Sequence, residues 1–395
     1  MEKQPESLTS FTDNTITLSN QSEGENNCVR FKTRRIIVFA FICLADILVF
    51  FQRAFPTVIT EELSHAYGCE VDELGIFSSM FYYPYAILQL FGGLLSDVME
   101  PAFLIGFGTI LASFGSIICG VSRSLLGGCV GRFIVGIGCG PVYTPCNRIM
   151  MNWFPLKQYS TVLGIFLFFA SCGGLLAQTP LTLFAELIGW KNCIYSISAF
   201  ATVFAIILLF CVRGNPISFG YSPVNQNLSE NVGDLKVKDK MIKLFGNFKT
   251  IVKSPSFWIV ATAVCMSNGA YYNITGIWGG PYLQEVFNYS KVKTANALLG
   301  LSIGACIGSL MMPAIAKVLK SKKWTVAVFS FMGTIICIPF TFFPHKLNFI
   351  AVLILLGLFA ICSTGAAALV YPMCTEYFPA TAGASATGCL NCLAF

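Results

Sequence analysis

In a chain of 395 residues with a formal net charge of +6, hydrophobic residues make up 55%, charged ones only 11%, and the mean hydropathy is +0.71. A soluble domain of this length needs long polar faces to meet water, and only short polar stretches separate the apolar blocks here, so soluble enzymes and nucleic-acid binders are excluded. What remains is an all-α polytopic membrane protein with the lipid bilayer as its main partner.

Residues 1–33 open the chain with a segment rich in Ser, Thr and Asn and free of any hydrophobic run that could serve as a signal peptide, which reads as a disordered cytoplasmic tail. About 20 apolar residues cross a bilayer. By that measure the first six spans fall near 34–56, 72–96, 102–121, 125–151, 158–184 and 191–212, forming an N-terminal six-helix bundle over 34–212. A polar cytoplasmic linker follows at 213–254, and the spans resume near 256–283, 294–318, 324–343 and 348–374 in a C-terminal bundle over 255–395. An eleventh span begins near residue 382 with only 14 residues left, so the sequence predicts ten full spans plus a partial eleventh and a truncated second half.

Positive loops stay cytoplasmic. With the N-terminus inside, 18 of the 25 Lys and Arg fall in inner segments and five in outer loops, while Arg53 and Arg132 sit within spans. That distribution predicts a cytoplasmic N-terminus and puts the "NYS" sequon at Asn288 outside, where it could be glycosylated. "NWFPLKQYSTVLGI" from Asn152 and "EYFPATAGASATGC" from Glu376 share Phe-Pro and Gly at an offset of 224 residues, with a Thr between them in each copy. Six spans lie between the copies, so the halves are expected to be parallel repeats about an axis along the membrane normal.

A charge near mid-membrane costs about 2.5–3.5 kcal/mol on insertion scales and needs a partner, water or a function. Asp46 and Arg53 are seven residues apart in span one, close to two turns, and so share a face. Arg132 lies in the first turns of span four, ahead of "GIGCGP", whose glycines permit close helix contact. Two guanidinium groups facing one cleft would suit a carboxylate or phosphate. The other readings are that Arg53 snorkels to the headgroups and that Arg132 neutralises Asp46. In span two, Tyr82, Tyr85 and Gln89 form one stripe, either hydrogen-bonding a polar solute or packing against neighbours. Span seven, "SNGAYYNITGIWGGP", brings Asn268, Tyr271, Tyr272 and Asn273 to a helix weakened by glycine, and Asn391 in the partial span is a further candidate. Most of the 17 cysteines lie inside apolar blocks and read as small packing residues. No Walker loop, HExxH, GxSxG or metal-spaced cluster occurs, so no catalytic residue, metal or cofactor is expected.

The two-halves architecture resembles the major facilitator superfamily, and "GGLLSD" (92–97) looks like its cytoplasmic motif between spans two and three. Gly93 and Asp97 stand in that gating motif's positions, whereas Val98, Glu100 and Pro101 replace its basic and glycine positions. Within the superfamily, "RFIVGIGCGPVYTPCNRIMMNWFPLKQYSTVLGI" (132–165) is similar to the fourth span and following loop of the organic anion and sugar-acid symporters, the anion:cation symporter group. The resemblance implies that Arg53 is the substrate arginine of span one and Arg132 that of span four, with Tyr85 and Gln89 the polar residues of span two. It also implies carboxylates where this chain has Gln52 and Cys139, which leaves Asp46 as the candidate for proton coupling.

The resulting expectation is secondary active or facilitative transport of a small organic anion, a carboxylate or sugar acid, by alternating access. The alternatives are a transporter of a neutral or zwitterionic solute (sugar, amino acid or dipeptide) and a transport-dead fragment. The expected partners are a small-molecule solute and H+ or Na+, with no nucleic acid, and the expected working unit is a monomer.

Overall fold

The computed structural model describes residues 9–155, 158–225, 246, 250–377 and 389–393, with most side chains from residue 29 on. Helix α1 spans Thr9–Ala54 and is followed by a short 3-10 turn, Phe55–Val58. Then come α2 (Thr60–Tyr67), α3 (Leu74–Val98), α4 (Pro101–Val121), α5 (Leu125–Cys139), α6 (Tyr143–Trp153), α7 (Tyr159–Leu176), α8 (Thr179–Ile188) and α9 (Trp190–Cys211). The second half holds α10 (Pro255–Asn273), a π-helical segment (Ile274–Trp278), α11 (Gly279–Phe287), α12 (Lys291–Val318), α13 (Lys322–Phe342) and α14 (Phe349–Tyr377).

Each expected span falls on a helix or a set of consecutive helices, and eight of the described stretches are long and apolar enough to cross a bilayer. One boundary and the continuity of three spans differ from the sequence expectation. The first helix starts at Thr9 and takes in most of the segment read as a disordered tail; once a helix is anchored in a bundle, each added residue gains a hydrogen bond without a new nucleation cost. Spans four, five and seven are each broken, at 140–142, 177–178 and 274–278. Pro141, Pro180 and Pro281 explain the breaks, since each lacks the N–H that would bond to the carbonyl four residues earlier. The second copy of the repeat runs into residues 378–388, which lie outside the described residues, as does most of the linker.

Glycine lets helix backbones touch within each half. A Cβ on Gly115 of α4 would lie 2.7 Å from the Gly131 carbonyl of α5, and one on Gly131 would lie 2.8 Å from the Gly115 carbonyl. In the second half Gly300, Gly304 and Gly308 of α12 meet the backbone of α14 in the same way, with the Ile361 carbonyl 2.8 Å from where a Gly308 Cβ would sit.

The two halves meet where α7 lies along α12, and again at the end of the bundle where α1 stops, here the distal end. There the Thr57 hydroxyl donates to the Thr275 carbonyl, and Lys291 Nζ lies 2.9 Å from Glu61 and 3.0 Å from Glu62. Thr179 Oγ1 donates to Asn296 Oδ1 at 2.6 Å.

Candidate functional site

Between the halves lies a cavity of about 110 Å³. Asp46, Phe50 and Arg53 of α1 form one wall, with Tyr85 and Gln89 of α3, Tyr143 of α6 and Ser171 of α7. Asn268, Tyr271 and Tyr272 of α10 face them, together with Ser309 of α12, Thr364 of α14 and Asn391. A water takes up about 30 Å³ in the liquid, so this space holds a few waters, and a solute larger than that requires the walls to part.

Arg53 is 3% exposed, and its guanidinium carbon lies 4.8 Å from the Phe50 ring centre, 4.9 Å from Tyr85 and 4.8 Å from Tyr272. Tyr85 belongs to the first half and Tyr272 to the second, so one cation is held between rings of both halves, an arrangement that gains strength where water is excluded. Burial among these rings also argues against a side chain reaching for headgroups. Asp46 is 1% exposed, about 10 Å along the helix from Arg53, and its Oδ2 has no hydrogen-bond partner among the described residues. The side-chain amide of Gln89, 2% exposed, is unpartnered there as well. Such buried polar atoms fit a site whose complement is supplied by a bound solute or water.

The cavity takes in Asp46, Arg53, Tyr85, Gln89, Tyr272 and Asn391 of the expected site residues, but not all of them. Tyr82 stands behind Tyr272, with ring centres 6.2 Å apart, and is not part of the lining. Asn273 is exposed, turned away from the cavity, and donates from Nδ2 to the Gly269 carbonyl at 2.8 Å. It lies one position beyond Tyr272, about 100° round the helix, which carries it off the inward face. Gly93 and Asp97 both fall within α3, and the surroundings of Gly93 and the side chain of Asp97 are not described. The sequence reading missed Phe50, Tyr143, Ser171, Ser309 and Thr364, which carry no charge and sit in no unusual cluster; the helical stripe running from Asp46 through Phe50 to Arg53 was the one available signal.

Arg132 is the clearest departure. It is fully buried inside the first half, away from the cavity, with its guanidinium carbon 5.2 Å from the Phe55 ring centre, 5.3 Å from Phe77 and 5.0 Å from Phe81. Its Nη1 donates to the Gln52 carbonyl at 2.8 Å. The reason lies in the chain itself. Pro56, four residues after Gln52, has no N–H to give that carbonyl and its ring crowds it, so the last turn of α1 presents a buried acceptor that a cation can satisfy. A positive charge at a helix C-terminus is favourable as well. The Gln52 side chain is held on the same side, its Oε1 accepting from Ser116 Oγ at 3.1 Å. Gln52 and Cys139, where the resemblance implies carboxylates, are both buried in the first half and absent from the cavity lining. Arg132 therefore contacts the last turn of α1, next to Arg53, and not the cavity itself.

The geometry can be set beside known proteins. A 187-residue region is 25% identical to a probable sulfoacetate transporter, SauU, of Cupriavidus necator, covering 47% of this chain and 43% of that protein. A longer region, 336 residues, is 21% identical to a probable hexose phosphate transport protein of Chlamydia pneumoniae, covering 81% of this chain and 72% of that one. The chain thus spans less than half the length of the first relative and about seven-tenths of the second. The crystal structure of a bacterial homologue of the human lysosomal transporter Spinster, inward-facing and unoccupied, superposes with a TM-score of 0.70 at 18% identity over 91% of this chain and 79% of that chain, a likeness of fold. The model of the Major Facilitator Superfamily matches residues 42–395, nearly the whole chain, and this chain belongs to that family.

Proposed function

We propose that this multi-pass membrane protein is a secondary transporter of a small organic anion, moving its solute by alternating access of the cavity between the two halves. The observation that carries the reading is Arg53, the one cation among the described lining residues, held between aromatic rings from both halves. A permanently charged guanidinium in a water-poor cavity favours a carboxylate, sulfonate or phosphate group. The relatives above are named for sulfoacetate and hexose phosphate, which supports both an anionic solute and an activity that is not enzymatic. The hydroxyl-bearing and amide residues Tyr85, Gln89, Asn268, Thr364 and Asn391 would complement a polyol or acid skeleton.

Asp46 supplies the coupling step. With Asp46 ionised it offsets the Arg53 charge and the cavity is neutral overall; once protonated, the cavity is positive and draws the anion in. Proton and anion then enter together, which makes H+ rather than Na+ the coupling ion in this reading. The Lys and Arg distribution supports a cytoplasmic N-terminus, so that the distal end is outer. The described cavity walls draw on both halves of one chain, which suits a monomeric working unit.

The experiment is uptake of sulfoacetate and of glucose 6-phosphate into proteoliposomes under an imposed pH gradient, with wild type, Arg53→Gln and Asp46→Asn compared. Removing a buried charge that pairs with the solute costs about 2–5 kcal/mol, so Arg53→Gln is expected to lower kcat/KM by about 30-fold or more. Asp46→Asn is expected to remove the response to the gradient, and unchanged gradient-driven uptake by that variant would eliminate the coupling role. A second reading rests on the same pair: an aspartate and an arginine in one cavity also suit a zwitterion, and saturable uptake of an amino acid or dipeptide with none of either anion would favour it.

A further inference from the structure

The halves share a feature that solute binding does not use. Cys172 lies in α7 of the first half and Cys306 in α12 of the second, both as free thiols. Both point at the Phe168 carbonyl, with Sγ–O distances of 3.5 Å from Cys172 and 4.0 Å from Cys306, so the two sulfurs converge on one acceptor at the seam between α7 and α12. Thiols are weak donors, so these contacts hold the sulfurs loosely and cost little to exchange for another bond. Ser171 and Ala305, the residues immediately before each cysteine, line the central cavity. Cys306 is buried at 7% exposure and Cys172 is half-buried, so Cys172 is the more accessible of the two to a small peroxide.

We propose that Cys172 and Cys306 form an oxidation site at which a small peroxide ties α7 to α12 through a disulfide, locking the two halves in the arrangement seen here. The Cys172 sulfur, as thiolate, attacks one peroxide oxygen; the O–O bond breaks, leaving a sulfenic acid and one water. The Cys306 sulfur then attacks the sulfenic sulfur and displaces its oxygen as a second water, forming the S–S bond. Two electrons pass from the thiols to the peroxide, and both thiol protons leave in the waters. A dithiol reductant reverses the step by exchange. The surroundings suit a lock, because α7 lies along α12 on both sides of the pair: on the distal side an added Cβ on Gly174 would lie 3.1 Å from the Ser302 hydroxyl, and on the other side one on Gly164 would lie 3.9 Å from the Leu310 side chain. A covalent tie at this level prevents the two helices from separating, which alternating access requires. The cross-link does not depend on the transport reading, and only its effect on uptake does.

The test uses the full chain in proteoliposomes treated with hydrogen peroxide, with wild type, Cys172→Ser and Cys306→Ser compared. Mass spectrometry of alkylated, unreduced peptides is expected to find Cys172 joined to Cys306 in wild type only, and dithiothreitol to release it. Backbone hydrogen exchange over residues 55–60 and 274–281, where the halves meet distally, reads opening without any solute. Exchange there is expected to slow about tenfold on oxidation and recover on reduction, as it would if the tie disfavours the open arrangement by about 1.4 kcal/mol. Peroxide is expected to lower sulfoacetate or glucose 6-phosphate uptake by a similar factor in wild type and in neither serine variant. Both thiols persisting unlinked after peroxide, or a linked pair with unchanged exchange, overturns the proposal. If neither solute moves in untreated wild type, the solute reading fails, and the cross-link and exchange still decide this one.

Discussion

The contact between Arg132 and the Gln52 carbonyl makes a quantitative claim about why a charge is buried in the first half. Arg132→Met keeps much of the side-chain volume among Phe55, Phe77 and Phe81 but removes the donor to Gln52. A buried carbonyl left without that donor costs about 1–3 kcal/mol, partly offset because a buried charge goes with it. In a Pro56→Ala background the residue at 56 has an N–H four positions beyond Gln52, and the helix can supply what arginine supplied. Arg132→Met is therefore expected to cost about 1–2 kcal/mol less in that background than alone, a coupling well above the roughly 0.3–0.5 kcal/mol scatter of independent sites. Equilibrium unfolding of all four proteins by SDS in mixed micelles measures it. If the two substitutions add, Arg132 is not there for the carbonyl that Pro56 leaves, and its burial has another cause.

Gly304→Leu is expected to push α12 off α14, where its backbone meets that of Gly357, and to destabilise the second half by about 1–3 kcal/mol or prevent its folding, read by unfolding and by the yield of monodisperse protein. Lys291→Ala removes ion pairs whose side chains are 32% exposed on Lys291 and 49% on Glu61, so its stability cost is expected to stay below about 1 kcal/mol. Its effect is expected instead as faster hydrogen exchange at 55–60 and 274–281, an increase that high salt produces in wild type and no longer adds to in the variant. Tyr272→Leu is expected to weaken anion binding through loss of a ring on the second-half side of Arg53, with the protein still folded; unchanged binding would show that the ring only packs.

The first half of the site was legible because intramembrane charge is rare and helical geometry is rigid. Asp46 and Arg53 stand two turns apart on α1, and Tyr85 and Gln89 share a face of α3, so spacing alone places each pair on one wall. Arg132 was not legible, because its position depends on a carbonyl 80 residues away that is exposed only by a proline in another helix. Spacing within one helix says nothing about which neighbour it will face. Asn273 failed for a smaller reason: two adjacent polar residues cannot both point inward, and nothing local decides between Tyr272 and Asn273. Ser309 and Thr364 belong to helices that reach the cavity from the second half, with no charge to mark them.

The polar part of the seam at the distal end is made of single contacts: one lysine on two glutamates, a threonine on an asparagine, and a hydroxyl on a backbone carbonyl. Water can replace each of these with little loss, since a first-shell water offers nearly the same enthalpy as the partner it displaces. Parting this seam hydrates groups that already prefer hydration, whereas parting a seam of leucines would open an oil surface to solvent. Only modest apolar packing accompanies these contacts, with Ala295 against the first-half cluster around Phe55 and Ile59 and the Trp278 ring against Gly75, so the two halves can come apart and rejoin without either one softening.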